Sequence, residues 1–418
     1  MKKIALVGNL LSISGYGAHA KYIYESLYQI KLDNPTKYSL FLVPLENLGD
    51  NIIQHQDLTR KYPDDVHVIV PDAESFINAL PEFDVAILCC DPVSGFQIKS
   101  MVKAKQYVLA TALTEVSKHP TSWFEKLNTF DAIQLQSKFL QAIIENSDDH
   151  PLKKSVLDKT KVVYHAFGDR LSFAKKDEEF YQHLTTTLPL EKYVFVTGDL
   201  SLVNPFLERK NTVLTVFETL EAIKDDPTTG VFAKFNFRNS SKSAFKEVKK
   251  ILDQTLKTHY PHLIPFKDKI KFTTDFITDS QMMTIFKHEK IHCMATLTHT
   301  EGFGMHLFDA VYNNLPVIAT NYSAHTEFLS GLPKDYFYPV DYDLVDVPKN
   351  WLKSYMCPGA QWAQPSLPSF QNQLKACLSK KASFRYKKTS PQYLDMYNKT
   401  HTVSGWISIL QSLENKNG

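Results

Sequence analysis

The densest arrangement of chemically useful residues in the chain is Glu301-Gly302-Phe303-Gly304, followed eight residues after Glu301 by Asp309. A helix beginning near Met305 would present unpaired amides and a partial positive charge of roughly half a unit, which favours a diphosphate. The two glycines let the backbone come close to such a group, with Phe303 between them. Carboxylates beside that terminus are poor phosphate ligands but good acceptors for sugar and ribose hydroxyls. A second segment, Phe206 to Asn211, pairs Arg209 with Lys210 ahead of a helix that Asn211 is placed to cap. Arginine grips a phosphate with two parallel donors and lysine acts on it as a point charge. The pair stands out because the chain has five arginines beside 42 lysines.

Two further segments are weaker. Gly8 to Gly17 holds three of the fourteen glycines, and Gly15-Tyr16-Gly17-Ala18-His19-Ala20 has the form G-x-G-x-x-A of a dinucleotide-binding turn. The spacing argues against NAD: about seven residues separate the motif from Val7, and no acid stands ~20 residues further on, Glu46 arriving late. Glu115 and His119 in Leu113 to Pro120, and His165 in Val163 to Asp169, are the other site candidates. For each of these, a cap, a turn or a satisfied core histidine is an equal alternative.

The elements that must position these residues read as alternating strands and amphipathic helices, hence an α/β fold of parallel sheets covered on both faces. Strands are expected at Ile4–Val7, Ser39–Val43, Val66–Val70, Val85–Leu88, Tyr107–Ala110, Ala132–Leu135 and Val162–Tyr164. Helices are expected over Ala18–Leu27 and Phe139–Glu145, the latter behind Ser137. Gly168 to Glu191 lacks a clear strand and reads as a linker. A second series follows: strands at Tyr193–Val196, Gly230–Phe235, Ile270–Thr273, Ile291–Thr296 and Val317–Ala319, with helices at Thr212–Ile223, Ala244–Leu256, from Ser280, and Met305–Tyr312. Pro339 to Pro368 reads as an extended excursion and Tyr393 to Leu413 as a terminal helix. The expectation is two Rossmann-like doubly wound domains facing a central cleft: residues 1–185, completed by the terminal helix (about 391–418), and residues 186–390. Open parallel sheets bind ligands at the carboxyl ends of their strands, and that is where the four segments lie.

Composition limits the alternatives. Forty-seven basic against 45 acidic residues leave a formal charge of +2, so no general affinity for nucleic acid is built in, and any anion site is local. Five cysteines, Cys89, Cys90, Cys293, Cys357 and Cys377, have no metal-ligand or disulfide spacing, which points to a reducing, cytoplasmic location. Met1 to Val7 is too short an apolar run for a signal peptide, and no run of ~18 apolar residues spans a membrane. Basic helices such as Lys246 to Lys257 read as solvated faces or as a peripheral membrane contact.

At Glu301-Gly302-Phe303-Gly304, Asp309-Ala310 and Pro316-Val317 the sequence resembles the family-4 glycosyltransferases of the GT-B fold, whose signature is Glu, seven residues, Glu. Glu208-Arg209-Lys210-Asn211 is similar to that family's ERKN phrase. Glu115 with Pro120, Trp123, Asp131 and Ser137-Lys138-Phe139 resembles its acceptor-domain stretch, and Val163 to Asp169 its V-x-H-G-x-D phrase. Lys234, Tyr322-Ser323 with Glu327, and Trp362 also match family positions. The resemblance implies that Glu301 holds the transferred sugar, Asp309 the ribose, and Arg209 with Lys210 the diphosphate. The first-domain loop carrying Gly15 and Gly17 would face the donor phosphates and the acceptor. The donor would be a nucleotide-diphosphate sugar, UDP- or GDP-linked, with no permanently bound cofactor. A hexose would move with retention to a glycan, lipid-linked or protein acceptor. Asp309 stands where the family has a second Glu, and Asp199 follows Gly198 where the family often has a basic residue; both favour the alternative of a catalytically inactive sugar-nucleotide or partner-binding protein. No Asp-x-Asp metal-binding motif is expected at a strand end, so leaving-group charge would fall to Arg209, Lys210 and the amides near Gly302 to Gly304 rather than to a metal.

Overall fold

The computed structural model describes residues 1–10, 15–45, 62–69, 80–113, 115–165, 176–199, 208–236, 242–349, 358–380, 394 and 397–415. The chain divides into two compact units, Met1–Ala166 with Leu352–Ala360 and Tyr397–Gly418, and Phe167–Trp351 with Gln361–Met396.

In the first unit, seven parallel strands run β1 (Lys2–Gly8), β2 (Tyr38–Pro44), β3 (His67–Val68), β4 (Phe83–Cys89), β5 (Ala104–Thr111), β6 (Ala132–Leu135) and β7 (Thr160–Val162). Their order across the sheet is β3-β2-β1-β4-β5-β6-β7. Both faces are covered, which is why β1 is an unbroken apolar run rather than an alternating one. Ile4 and Leu6 enter one buried cluster, and Ala5 and Val7 enter the other. The first cluster includes Trp406, Ile409 and Leu410 of the Lys399–Glu414 helix. That helix is capped by Asn398, whose side chain accepts the amide of His401, and is tied down where Gln106 Nε2 donates to Leu413 O at 2.9 Å. It starts later than the expected Tyr393.

In the second unit six parallel strands, β8 (Lys192–Asp199), β9 (Thr229–Asn236), β10 (Ile270–Thr273), β11 (Ile291–Thr296), β12 (Val317–Thr320) and β13 (Phe337–Val340), lie in the order β10-β9-β8-β11-β12-β13. Each sheet therefore reverses direction of winding once, between β1 and β4 and between β8 and β11. In open parallel sheets such a reversal is the place where ligands bind.

Several expectations are corrected. The expected linker contains a helix, Glu178–Thr187, whose N-cap Asp177 accepts the amide of Phe180 and which packs on the Asp279–Lys287 helix. That helix belongs to the second of the two compact units. The helix expected from Ser280 begins at Asp279 and is capped by Thr278, in a reciprocal capping box with Gln281. The last strand of the first sheet is Thr160–Val162, not Val162–Tyr164. Pro339 to Pro368 is not an extended excursion: β13 completes the sheet, β14 (Tyr342–Asp346) and β15 (Gln361–Pro365) form an antiparallel pair, and a helix runs over Leu367–Leu378. One consequence is that Asp341-Tyr342-Asp343, an Asp-x-Asp triplet, directly follows β13. The Asp341 carboxylate accepts the Ser369 hydroxyl at 2.9 Å. Among the described residues no three His, Cys, Asp or Glu side chains are grouped so as to hold a metal ion. Nor is any described helix long and apolar enough to cross a membrane.

Candidate functional site

The switch between β8 and β11 gathers the strongest candidates. β8 ends in Gly198-Asp199, and Gly198 is required by its neighbour: a Cβ there would sit 2.3 Å from Thr212 Oγ1, which donates to Asp199 O at 2.9 Å. The chain re-enters the described structure at Glu208, with Phe206 and Leu207 outside it. Asn211 then adopts the left-handed conformation, φ 49°. Its side chain does not cap the Thr212–Ile223 helix as expected. Instead Nδ2 donates to Leu297 O at 2.8 Å and lies 3.0 Å from His299 Nε2. A carbonyl can only accept, so the Asn211 amide is oriented by Leu297, and His299 Nε2 must be the unprotonated nitrogen. Its Nδ1–H donates to Ala363 O at 2.5 Å, and its ring stacks on Trp362 with centroids 4.1 Å apart. Burial lowers the His299 pKa to about 4, which fits a neutral ring.

This network binds the loop after β11 to the loop before the Thr212–Ile223 helix. His299 N–H donates to Arg209 O at 2.8 Å, and Leu297 N–H to Thr215 Oγ1 at 3.0 Å. Glu301 is thereby held 3.4 Å from Arg209 Nη1 through Oε2 and 3.8 Å from Lys210 Nζ through Oε1. Thr298 Oγ1 lies 3.3 Å from Glu301 Oε1, and Arg209 Nη1 also donates to Thr300 O. Burial pushes the Glu301 carboxyl upward, but Lys210 and then Arg209 outweigh it and hold the group at about 2. A third cation, Lys234, lies two residues before the end of β9; burial lowers it to about 8, opposed by Asp199 and reinforced by Lys210, and it donates to Asn236 Oδ1. Arg209, Lys210 and Glu301, singled out from sequence, are brought together. Sequence reading missed His299 and the role of Asn211, whose partners lie 64 to 88 positions away.

Gly304 opens the Met305–Tyr312 helix with φ 89°, and a Cβ there would meet His325 Cβ at 2.8 Å. Glu301 N–H donates to Ser323 Oγ at 2.8 Å. His325 Nε2 donates to Thr320 O at 2.7 Å, so its Nδ1 is the acceptor for the Ser323 hydroxyl, at 3.3 Å. His325 thus fixes the backbone of Glu301 through Ser323. Gly302 is buried, and Phe303 packs against Phe328 and Phe308. Asp309 lies in the second turn of the helix and is 1% exposed.

In the first unit the outcome is mixed. Gly15 and Gly17 belong to the Gly15–Asp33 helix, not to a loop before it. Glu115 has φ 56°, a turn conformation. His119 is buried against Trp123 and Phe124, Nδ1 donates to Pro120 O at 3.2 Å, and burial lowers its pKa to about 4. His165 is 2% exposed, lies 2.7 Å from Gln136 Oε1 through Nε2, and stacks on Tyr22. His19, not singled out from sequence, meets His165 edge-on at 4.7 Å and donates from Nε2 to Gln134 Oε1 at 2.9 Å. His119 and His165 are built as core histidines in this structure.

No family model matches the sequence, and no curated protein matches it. Solved structures do. The UDP-forming alpha,alpha-trehalose-phosphate synthase of Burkholderia xenovorans, in complex with glucose-6-phosphate, superposes with TM-score 0.60 at 10% identity, over 99% of this chain and 100% of the other. A trehalose-6-phosphate structure from E. coli bound with UDP-2-fluoro glucose gives 0.58 at 11%, over 99% of both. A TarM mutant of S. aureus in complex with fondaparinux, alpha-GlcNAc-glycerol and UDP gives 0.59 at 10%, over 98% and 99%. The fold is GT-B. Within this GT-B chain the basic pair and Glu301 sit at the winding reversal of the second Rossmann-like sheet.

Proposed function

We propose that the chain is a glycosyltransferase that takes a sugar from a nucleotide-diphosphate donor, of the family-4 type that its motifs resemble. The observation that carries this reading is the Glu301 carboxylate set between Arg209 and Lys210 at the β8–β11 switch, beside the N-terminus of the Met305–Tyr312 helix.

In this reading Arg209 and Lys210 bind the diphosphate and stabilise its charge as the sugar departs, with the amides near Gly304 adding their dipole. Their shared partner Glu301 keeps them oriented and stays ionised, so its free lone pairs accept sugar hydroxyls. Asp309 accepts a ribose hydroxyl from UDP or GDP. Transfer proceeds with retention and without a metal, the departing diphosphate taking the acceptor's proton. The acceptor is a glycan, a lipid-linked sugar or a protein.

One observation favours a second reading, a protein that binds nucleotide sugars without transferring them: Asp309 is one methylene shorter than the Glu of the resembled motif and is 1% exposed. Release of nucleotide from pooled nucleotide sugars, with Glu301→Gln as control, separates the two.

A further inference from the structure

The Lys242–His259 helix and the chain that follows it combine two features that the proposed transfer does not use. Lys246, Lys249, Lys250, Asp253 and Lys257 fall at positions i, i+3, i+4, i+7 and i+11, so they share one face. All four lysines are exposed. Asp253 is engaged by Lys249 at 2.9 Å, while Lys246, Lys250 and Lys257 make no ion pair among the described residues. The opposite face, with Val248, Leu252 and Leu256, is buried in the core. The helix is therefore fixed, and its basic face is presented outward.

The second feature is apolar. Phe245, Ile264 and Phe276 are 45%, 42% and 54% exposed, and they are three of the seven large hydrophobics most open to solvent among the described residues. All three fall within 32 positions of one another, along the helix and the chain that follows it. Phe245 is also held rigid, stacked on Phe272 of β10 with centroids 4.6 Å apart, and β10 is the edge strand of its sheet.

The shape of this face limits what can bind it. The space over the lysines is bounded by side chains of that one helix alone, so it is an open face and not a pocket for a small anion. A flat, extended and anionic partner meets all the lysines at once. Lysines and exposed phenylalanines carried by one stretch of chain suit a surface that is charged outside and apolar a few ångströms deeper. We propose that this edge of the second unit docks on an anionic lipid bilayer, with Lys246, Lys250 and Lys257 against the headgroups and Phe245 and Phe276 reaching the acyl boundary.

The test is cosedimentation of the full chain with vesicles of phosphatidylcholine alone and with about one third phosphatidylglycerol, at about 50 mM and about 300 mM NaCl. Each lysine near an anionic surface contributes about fivefold in affinity. The chain should therefore bind the anionic vesicles at low salt at least about tenfold more tightly than the neutral ones. The combined Lys246→Glu, Lys250→Glu and Lys257→Glu variant should lose that binding with an unchanged thermal midpoint. A control reversing the exposed Lys334, Lys375 and Lys380 of the same unit should keep it. Phe276→Ser should weaken binding and leave its salt dependence intact. Equal binding to both vesicle types, no vesicle binding, or equal loss in both triple variants would overturn the proposal. So would binding of soluble heparin through the same lysines without vesicle binding, which would make the partner a polyanion instead.

Discussion

Glu301 Oε2 lies 3.4 Å from Arg209 Nη1, an ion pair formed across 92 positions of sequence at the point where the second sheet reverses its winding. Both side chains are largely withdrawn from water, 13% and 18% exposed. A pair in such surroundings has geometry to offer as well as charge: each group is pre-aimed for a ligand that carries the opposite charge or a hydroxyl.

Arg209→Ala or Lys210→Ala should therefore remove a charge-assisted contact to the diphosphate of about 1.5–3 kcal/mol, or roughly ten- to 150-fold in affinity. Calorimetric titration with UDP and GDP reads this directly. The corresponding monophosphates should show a smaller loss, because fewer oxygens meet the pair.

Asp309→Ala should weaken a nucleoside diphosphate while leaving inorganic pyrophosphate unaffected, because its assigned partner is the ribose. If UDP and GDP bind the variant as they bind the parent, Asp309 has no place in the site.

The buried histidines set an acid limit on stability. His19, His119 and His299 are each held near pH 4 by burial, against an ordinary value of 6.5. The unfolded chain takes up these protons first, so stability is full above about 6.5 and is lost as pH falls toward 4. By pH 5.5 each contributes a loss of about 1 kcal/mol. Glu301 acts in a lower window: held at about 2 against 4.5, its contribution is present above 4.5 and lost only below that. Denaturation midpoints should therefore fall between pH 7 and 5, and His299→Gln should flatten that slope while Glu301→Gln does not.

Gly304→Ala should destabilise the loop of Glu301. Its φ of 89° disfavours a side chain, and the added Cβ would sit 2.8 Å from His325 Cβ, displacing the ring that orients Ser323. A loss of about 1–3 kcal/mol in a denaturant titration is expected, with transfer activity falling further than stability accounts for.

Much of the fold was legible because local signals were strong. Thr212–Ile223, Met305–Tyr312 and Ile291–Thr296 lie where the sequence reading put them, since each is an apolar run or stripe closed by polar loops. Glu178–Thr187 was missed because only Leu184 of it is buried, leaving little periodicity to see. The β14–β15 pair was hidden by prolines that bound it rather than break it. In the site, charge type and rarity pointed to Arg209, Lys210 and Glu301. The Asn211–His299–Trp362 and Ser323–His325 supports were not legible as a network. Trp362 and Ser323 stood out only as single positions, and what joins them is tertiary contact.

The central claim is transfer from a nucleotide-diphosphate sugar, and nucleotide release tests it most directly. The purified chain is incubated with UDP-, GDP-, ADP- and CMP-sugars, and free nucleotide is quantified for the parent, Glu301→Gln and Arg209→Ala. The account predicts slow release of a nucleoside diphosphate from at least one donor, falling by ten-fold or more in both variants, by analogy with loss of one stabilising contact in a charged site. No release from any donor by the parent, or equal release by all three proteins, would contradict it.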